Sequence, residues 1–114
     1  MQLNETNINK EQLLNLLGLA TRARKVSIGS DICLKMIASK KAYIVFVASD
    51  ASKNTIEKFN NKCHYYNILL DLSFDSVELN QAVGKNNAKV LTINDYGFAN
   101  KINKIIKDGV KYEG

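Results

Sequence analysis

The chain has 114 residues and a formal net charge of +5, with 46% apolar and 24% charged residues. That length buries one core and not two, and the composition is ordinary for a soluble globular protein. No run approaches the roughly 18 apolar residues of a membrane span, and the polar start Met1-Gln2-Leu3-Asn4-Glu5-Thr6 lacks the order of a signal peptide. A cytoplasmic, single-domain protein over residues 1–114 is expected, with flexible ends at 1–9 and 109–114. The basic balance favours a polyanionic partner.

Asn9 followed by Gln12 has capping-box spacing, and Leu13, Leu14, Leu17 and Ala20 then recur at helical spacing to about Ala23. Val26-Ser27-Ile28 is a short extended piece ended by Gly29. A second helix follows from about Asp31 to Ser39, with Ile32, Cys33, Met36 and Ile37 inward. Tyr43 to Ala48 is a continuous apolar, β-branched run of strand length, expected to be covered on both faces. Asp50 or Ser52 starts a third helix striped by Ile56, Phe59 and Cys63. Ile68 to Leu72 reads as a second core strand.

Asp75 and Glu78 have capping-box spacing for a short fourth helix that ends at Gly84. Lys89 to Ile93 forms a last strand. Asp95 caps a final helix with Phe98, Ile102, Ile105 and Ile106 inward. Helices and strands alternate from end to end, which predicts an α/β fold, a three-layer α/β/α sandwich.

Enzyme signatures are absent. The chain has neither G-x-G-x-x-G nor G-x-x-x-x-G-K-[ST]; Gly84-Lys85 lacks the upstream glycine and the hydroxyl residue. His64, the one histidine, adjoins Cys63, and neighbouring helical positions diverge by about 100°, a poor start for a metal site. Nothing around His64 supplies a nucleophile or an orienting carboxylate. Cys33 and Cys63 read as buried small hydrophobes. Asp50 and Asp71 fall at strand ends, where capping and turn formation explain them. No catalytic residue, metal or cofactor is assigned.

The candidate site starts at Gly29-Ser30-Asp31. A bland reading suffices for these residues alone: Ser30 or Asp31 caps the second helix, and Asp31 pairs with Lys35 one turn on. The context adds a second reading. Arg22, Arg24 and Lys25 precede the glycine, Lys40 and Lys41 follow the helix, and a helix N-terminus offers free amides to phosphate. A cluster of amides and cations at one edge is the electrostatic footprint of a nucleic-acid binder.

"LLGLATRARKVSIGSDICLKMI", "AYIVFVASDAS", "KCHYYNI", "ELNQAVGK" and "GFANKI" together resemble the kink-turn-binding ribosomal-protein family of the archaeal L-seven-Ae type, most closely its small bacterial, YlxQ-like branch. The resemblance covers about Leu13 to Ile102. It implies a sandwich around a mixed, mainly four-stranded sheet, and binding of structured RNA without cofactor or catalysis.

The family's motif G-x-N-E-x-x-K falls on Gly29 and Lys35, with Asp31 in place of the asparagine and Ile32 in place of the glutamate. In a sheared G·A pair, Lys35 can donate to guanine O6 and Asp31 can accept a guanine N–H. Ile32 can do neither and is expected to face inward.

The resemblance also points to the loop after the fourth helix, where Lys85, Asn86, Asn87 and Lys89 replace the apolar residues often found there. Phosphate or 2′-hydroxyl contacts suit them, and so does a plain solvated loop. The expected partner is structured RNA, in a ribosome or outside it, and the default state is a monomer. The alternatives are a ribosome-associated protein-interaction module of the same fold without kink-turn specificity, and an RNA-modifying or nucleolytic enzyme, which lacks a catalytic set.

Overall fold

A computed structural model describes the backbone of residues 2–113 and the side chains of residues 9–107. Apart from Asn9, the side chains of the expected flexible ends, 1–9 and 109–114, lie outside the described residues. The elements are α1 (Gln2–Arg22), β1 (Val26–Ile28), α2 (Ser30–Ala38), β2 (Ile44–Val47), α3 (Lys53–Tyr66), β3 (Leu69–Asp71), α4 (Ser76–Val83), β4 (Val90–Ile93) and α5 (Tyr96–Glu113). The Asn9–Gln12 capping box does not form, because α1 already runs through Asn9 from Gln2.

The sheet order is β1-β4-β2-β3. β4 pairs antiparallel with both β1 and β2, whereas β2 and β3 are parallel. The sheet is therefore mixed. Helices α1, α4 and α5 cover one face and α2 and α3 the other, giving the expected α/β/α sandwich.

The central strands β2 and β4 are buried at every position, as their unbroken apolar runs require. Ile44, Phe46, Leu91 and Ile93 point to the face holding Leu17, Leu79 and Ile102, and Val45, Val47 and Val90 to the face holding Cys33, Ile37 and Phe59. Thr92 interrupts the apolar run at no loss, since its buried hydroxyl donates to Asn94 Oδ1 at 2.9 Å. β3 corrects the expectation of a second core strand. It sits at the sheet's edge, with Leu69 and Leu72 exposed.

The helix starts follow side-chain capping in three cases. Ser52, not Asp50, caps α3 by accepting from Thr55 N at 3.1 Å. The Asp75–Glu78 capping box forms on α4, and Asp95 Oδ2 accepts from Phe98 N at 3.0 Å at the start of α5. Asp50 instead reaches across to α4, accepting from Ser76 N at 2.9 Å and Ser76 Oγ at 2.6 Å.

Helices α1, α2 and α3 end alike, with paired six-residue and four-residue backbone turns. Lys25 N donates to Ala20 O and Arg24 N to Thr21 O; Lys41 N donates to Met36 O and Lys40 N to Ile37 O; Ile68 and Asn67 repeat the pattern on Cys63 and His64. Each closure needs one left-handed residue just past the helix. Arg24, Lys40 and Asn67 take that place with φ of 62°, 63° and 58°.

Candidate nucleic-acid interface

β1 is three residues long, and this short strand decides the geometry of the candidate site. Gly29, just after it, donates its N–H to Val90 O at 3.0 Å, and Ala48 N donates to Lys89 O at 2.8 Å. The starts of α2 and β4 and the end of β2 thus share one rim of the sheet, the upper rim. Lys25, just before β1, accepts from Asn94 N at 2.8 Å, and Tyr43 N donates to Ile93 O at 2.8 Å. These define the lower rim. At about 3.3 Å per residue, the rims stand about 13 Å apart.

The expected single cluster therefore divides. Gly29, Ser30, Asp31 and the loop carrying Lys85, Asn86, Asn87 and Lys89 belong to the upper rim. Arg24 and Lys25 are exposed on the lower rim. Arg22 joins neither. It lines an open groove of about 260 Å³ between α1 and α4, with Leu14, Asn15, Gly18, Glu78, Gln81 and Ala82. Nearness in sequence misled here, because a strand carries the chain from one side of the sheet to the other.

At the upper rim, α2 begins on Gly29 with φ 109° and ψ 148°, and no side chain caps it. The expected cap from Ser30 or Asp31 fails because the helix already includes both, so their side chains lie within its first turn. Cys33 N is the first amide to find an intrahelical acceptor, Gly29 O at 3.0 Å. The amides of Ser30, Asp31 and Ile32 precede it, and helix geometry gives them no acceptor within the helix. A Cβ on Gly29 would touch nothing within 4 Å. Glycine is required there by the backbone angle, not by crowding.

Below this turn lies Cys33, fully buried, its thiol directed at Ser27 O (3.5 Å) and Val90 O (3.7 Å). Burial pushes the thiol up to about 12. Cys63, also buried, is raised to about 11 by burial. Both act as small apolar residues.

Ile32 overturns an expectation. It is 50% exposed and shares the outer face of α2 with Asp31, while Cys33 and Ile37 carry the buried stripe. Lys35 is exposed about 7.5 Å along the helix axis from Ser30. Asp31 and Lys35 do not pair. Among the described residues the ion pairs are Lys10–Glu78 at 2.7 Å and Lys89–Asp50 at 3.9 Å.

The loop from Gly84 to Lys89 is held from beneath by a residue that the sequence reading missed. Asn80 accepts from Ala88 N at 2.8 Å and donates to Ala88 O at 3.1 Å and Ser76 O at 2.7 Å. An asparagine inside a helix is a signal in itself, since its amide competes with the helix backbone unless occupied elsewhere. With Ala88 buried and clamped, Lys85, Asn86, Asn87 and Lys89 all point outward. The Asp50 carboxyl beside Lys89 is held below its ordinary value, chiefly by the Ser76 hydroxyl.

His64 is exposed on α3 and Asp71 is occupied by Ser73, whose N–H and hydroxyl both donate to it. Among the described residues no group of three or more metal-ligating side chains converges, and no helix is long and apolar enough to cross a membrane.

A mixed four-stranded sheet sandwiched by helices, with uncapped α2 amides beside a clamped basic loop, defines a small α/β/α class of domain. The chain belongs to the ribosomal protein L7Ae/L30e/S12e/Gadd45 family, whose sequence pattern matches residues 11–103. The resemblance to the YlxQ-like bacterial branch is borne out. The chain is 41% identical over 99 residues to the RNA-binding protein YlxQ of Enterococcus faecium, covering 87% of this chain and 95% of that one.

It is likewise 41% identical over 87 residues to the RNA-binding protein YlxQ of Bacillus subtilis (strain 168), covering 76% of this chain and 87% of that one. Among solved structures, a Bacillus halodurans protein of unknown function superposes with a TM-score of 0.79 at 33% identity, over 83% of this chain and 96% of that one. The Giardia lamblia 15.5kD RNA binding protein has the same fold, with a TM-score of 0.77 at 19% identity over 90% of this chain and 88% of that one.

Proposed function

We propose that this chain is a non-enzymatic, cytoplasmic RNA-binding protein that docks the N-terminus of α2 on structured RNA, a kink-turn or a related ribosomal element. The carrying observation is the uncapped first turn of α2 beside the clamped basic loop. Relatives named as RNA-binding proteins at 41% identity support the class of ligand. In this reading the free amides and the positive helix end receive a phosphate or a base-edge acceptor. Lys35 donates to guanine O6 of a sheared G·A pair, and Asp31 accepts the adjacent N–H. Lys85 and Lys89 neutralise phosphates, and Asn86 and Asn87 reach sugar hydroxyls. Gly29 and Ser30 shape the approach of the backbone.

The test is titration of the protein with a kink-turn RNA and with the same RNA carrying disrupted G·A pairs. The intact motif is expected to bind at least tenfold tighter, and Lys35→Ala to remove about 1–3 kcal/mol of that preference. Lys104→Ala, the same charge change on exposed α5, is the control. A second reading, a ribosome-associated protein-interaction module, is favoured by the exposed Ile32 beside an acidic Asp31. Superimposable curves for the two RNAs would select it.

A further inference from the structure

The lower rim contains functional-looking residues that the α2 reading leaves unused. Three neighbouring strand ends meet there, because β4 lies between β1 and β2. They place Arg24-Lys25, Tyr96 and Lys40-Lys41-Tyr43 side by side, joined by the Lys25–Asn94 and Tyr43–Ile93 backbone bonds. Tyr43 and Tyr96 meet edge to face, with ring centroids 6.0 Å apart. They are 46% and 67% exposed, so most of Tyr96 is open to solvent.

The charge at this rim is unbalanced. Arg24, Lys25, Lys40 and Lys41 are all exposed, and the acidic neighbour, Asp95, is occupied with the α5 amide of Phe98. At the upper rim, by contrast, Asp31, Asp50, Asp71 and Asp75 stand among Lys53, Lys85 and Lys89. Arg24 and Lys40 each occupy a left-handed position that suits glycine best. Both are followed by a second cation. The same arrangement thus closes two helices and presents two basic pairs.

We infer that the lower rim is a second RNA-contact surface, which stacks an unpaired nucleotide on Tyr96, buttressed edge to face by Tyr43, and neutralises its flanking phosphates with Arg24, Lys25, Lys40 and Lys41. Exposed aromatic faces among cations are the chemistry of single-stranded nucleic-acid binding. The inference rests on the chain's binding RNA and not on recognition by α2. Its occupant is an unpaired strand flanking the structured element.

The experiment compares an unstructured oligouridine 12-mer with a kink-turn lacking single-stranded tails, by fluorescence anisotropy on the full chain. Tyr96→Ala and Lys25→Ala are expected to weaken oligouridine binding about tenfold and to leave the tail-less kink-turn unchanged. Tyr96→Phe, which keeps the ring, should retain binding. Arg24→Gly with Lys40→Gly should weaken oligouridine binding while the Tm stays level or rises.

Unchanged oligouridine binding by Tyr96→Ala would overturn the inference. A lowered Tm with unchanged binding in the glycine pair would overturn it too, and would assign those cations to the helix dipoles. Loss of oligouridine binding in Tyr96→Ala, with no effect of Lys35→Ala on the kink-turn, would sustain the lower rim and remove the α2 reading. Failure of the native chain to bind oligouridine and the kink-turn alike would remove both readings.

Discussion

Asp31 and Gly29 act on the same turn in opposite ways. The Asp31 carboxylate favours the positive end of α2, yet it stands exposed where phosphate would approach. A unit charge at about 4 Å in water interacts by about 1 kcal/mol. Asp31→Asn is therefore expected to tighten kink-turn binding about fivefold while leaving stability within about 0.5 kcal/mol, by titration and urea denaturation. Gly29→Ala is expected to do the reverse kind of damage. Its φ of 109° with ψ 148° lies in a region essentially closed to other residues, so the change should cost about 1–3 kcal/mol in the same denaturation experiment. Ile32 carries a related lesson. Reading it as core was natural for an isoleucine, but one residue is about 100° of helix, and the α2 stripe is centred on Cys33 and Ile37.

At the level of elements, patterning made most of the fold legible. The unbroken apolar runs of β2 and β4 announced central strands, and the Asp75–Glu78 spacing announced the α4 capping box that forms. Gly84 closes α4 in the left-handed conformation expected of it. What stayed hidden depended on distance in sequence. Asp50 bonds to Ser76, 26 residues away, and Asn80 to Ala88 through a loop; neither partner follows from local spacing. The candidate site was half legible for the same reason, since Arg24 and Gly29 are close in the chain and far apart on the sheet. Asn80→Ala tests the loop's support. Removing three hydrogen bonds from a half-buried amide should cost about 1–3 kcal/mol and speed hydrogen exchange at Ala88. RNA affinity should fall with it, since Lys85 and Asn86 would lose their fixed base.

For the whole molecule, four exposed cations, Arg24, Lys25, Lys40 and Lys41, gather at the lower rim, while others lie along α3 and α5. The formal net charge of +5 therefore understates the local field at the lower rim, where basic residues outnumber acidic ones. Each phosphate contact contributes roughly 0.7–0.9 to the slope of log affinity against log salt. Lys85→Ala is expected to flatten that slope for a tail-less kink-turn by about one unit, and Lys104→Ala to leave it unchanged, in titrations between about 50 and 200 mM salt. Equal flattening by both would mean that bulk charge, not a placed contact, governs the association.

β4 is the last strand to be synthesised, yet it lies between β1 and β2. The Gly29–Val90 and Lys25–Asn94 bonds both wait for it. Until residues 90–93 join the sheet, β1 lacks a strand partner, β2 is paired on one edge only, by β3, and neither rim is assembled. Insertion of these four residues completes the sheet and assembles both rims in one event, so the RNA contacts proposed for either rim depend on it.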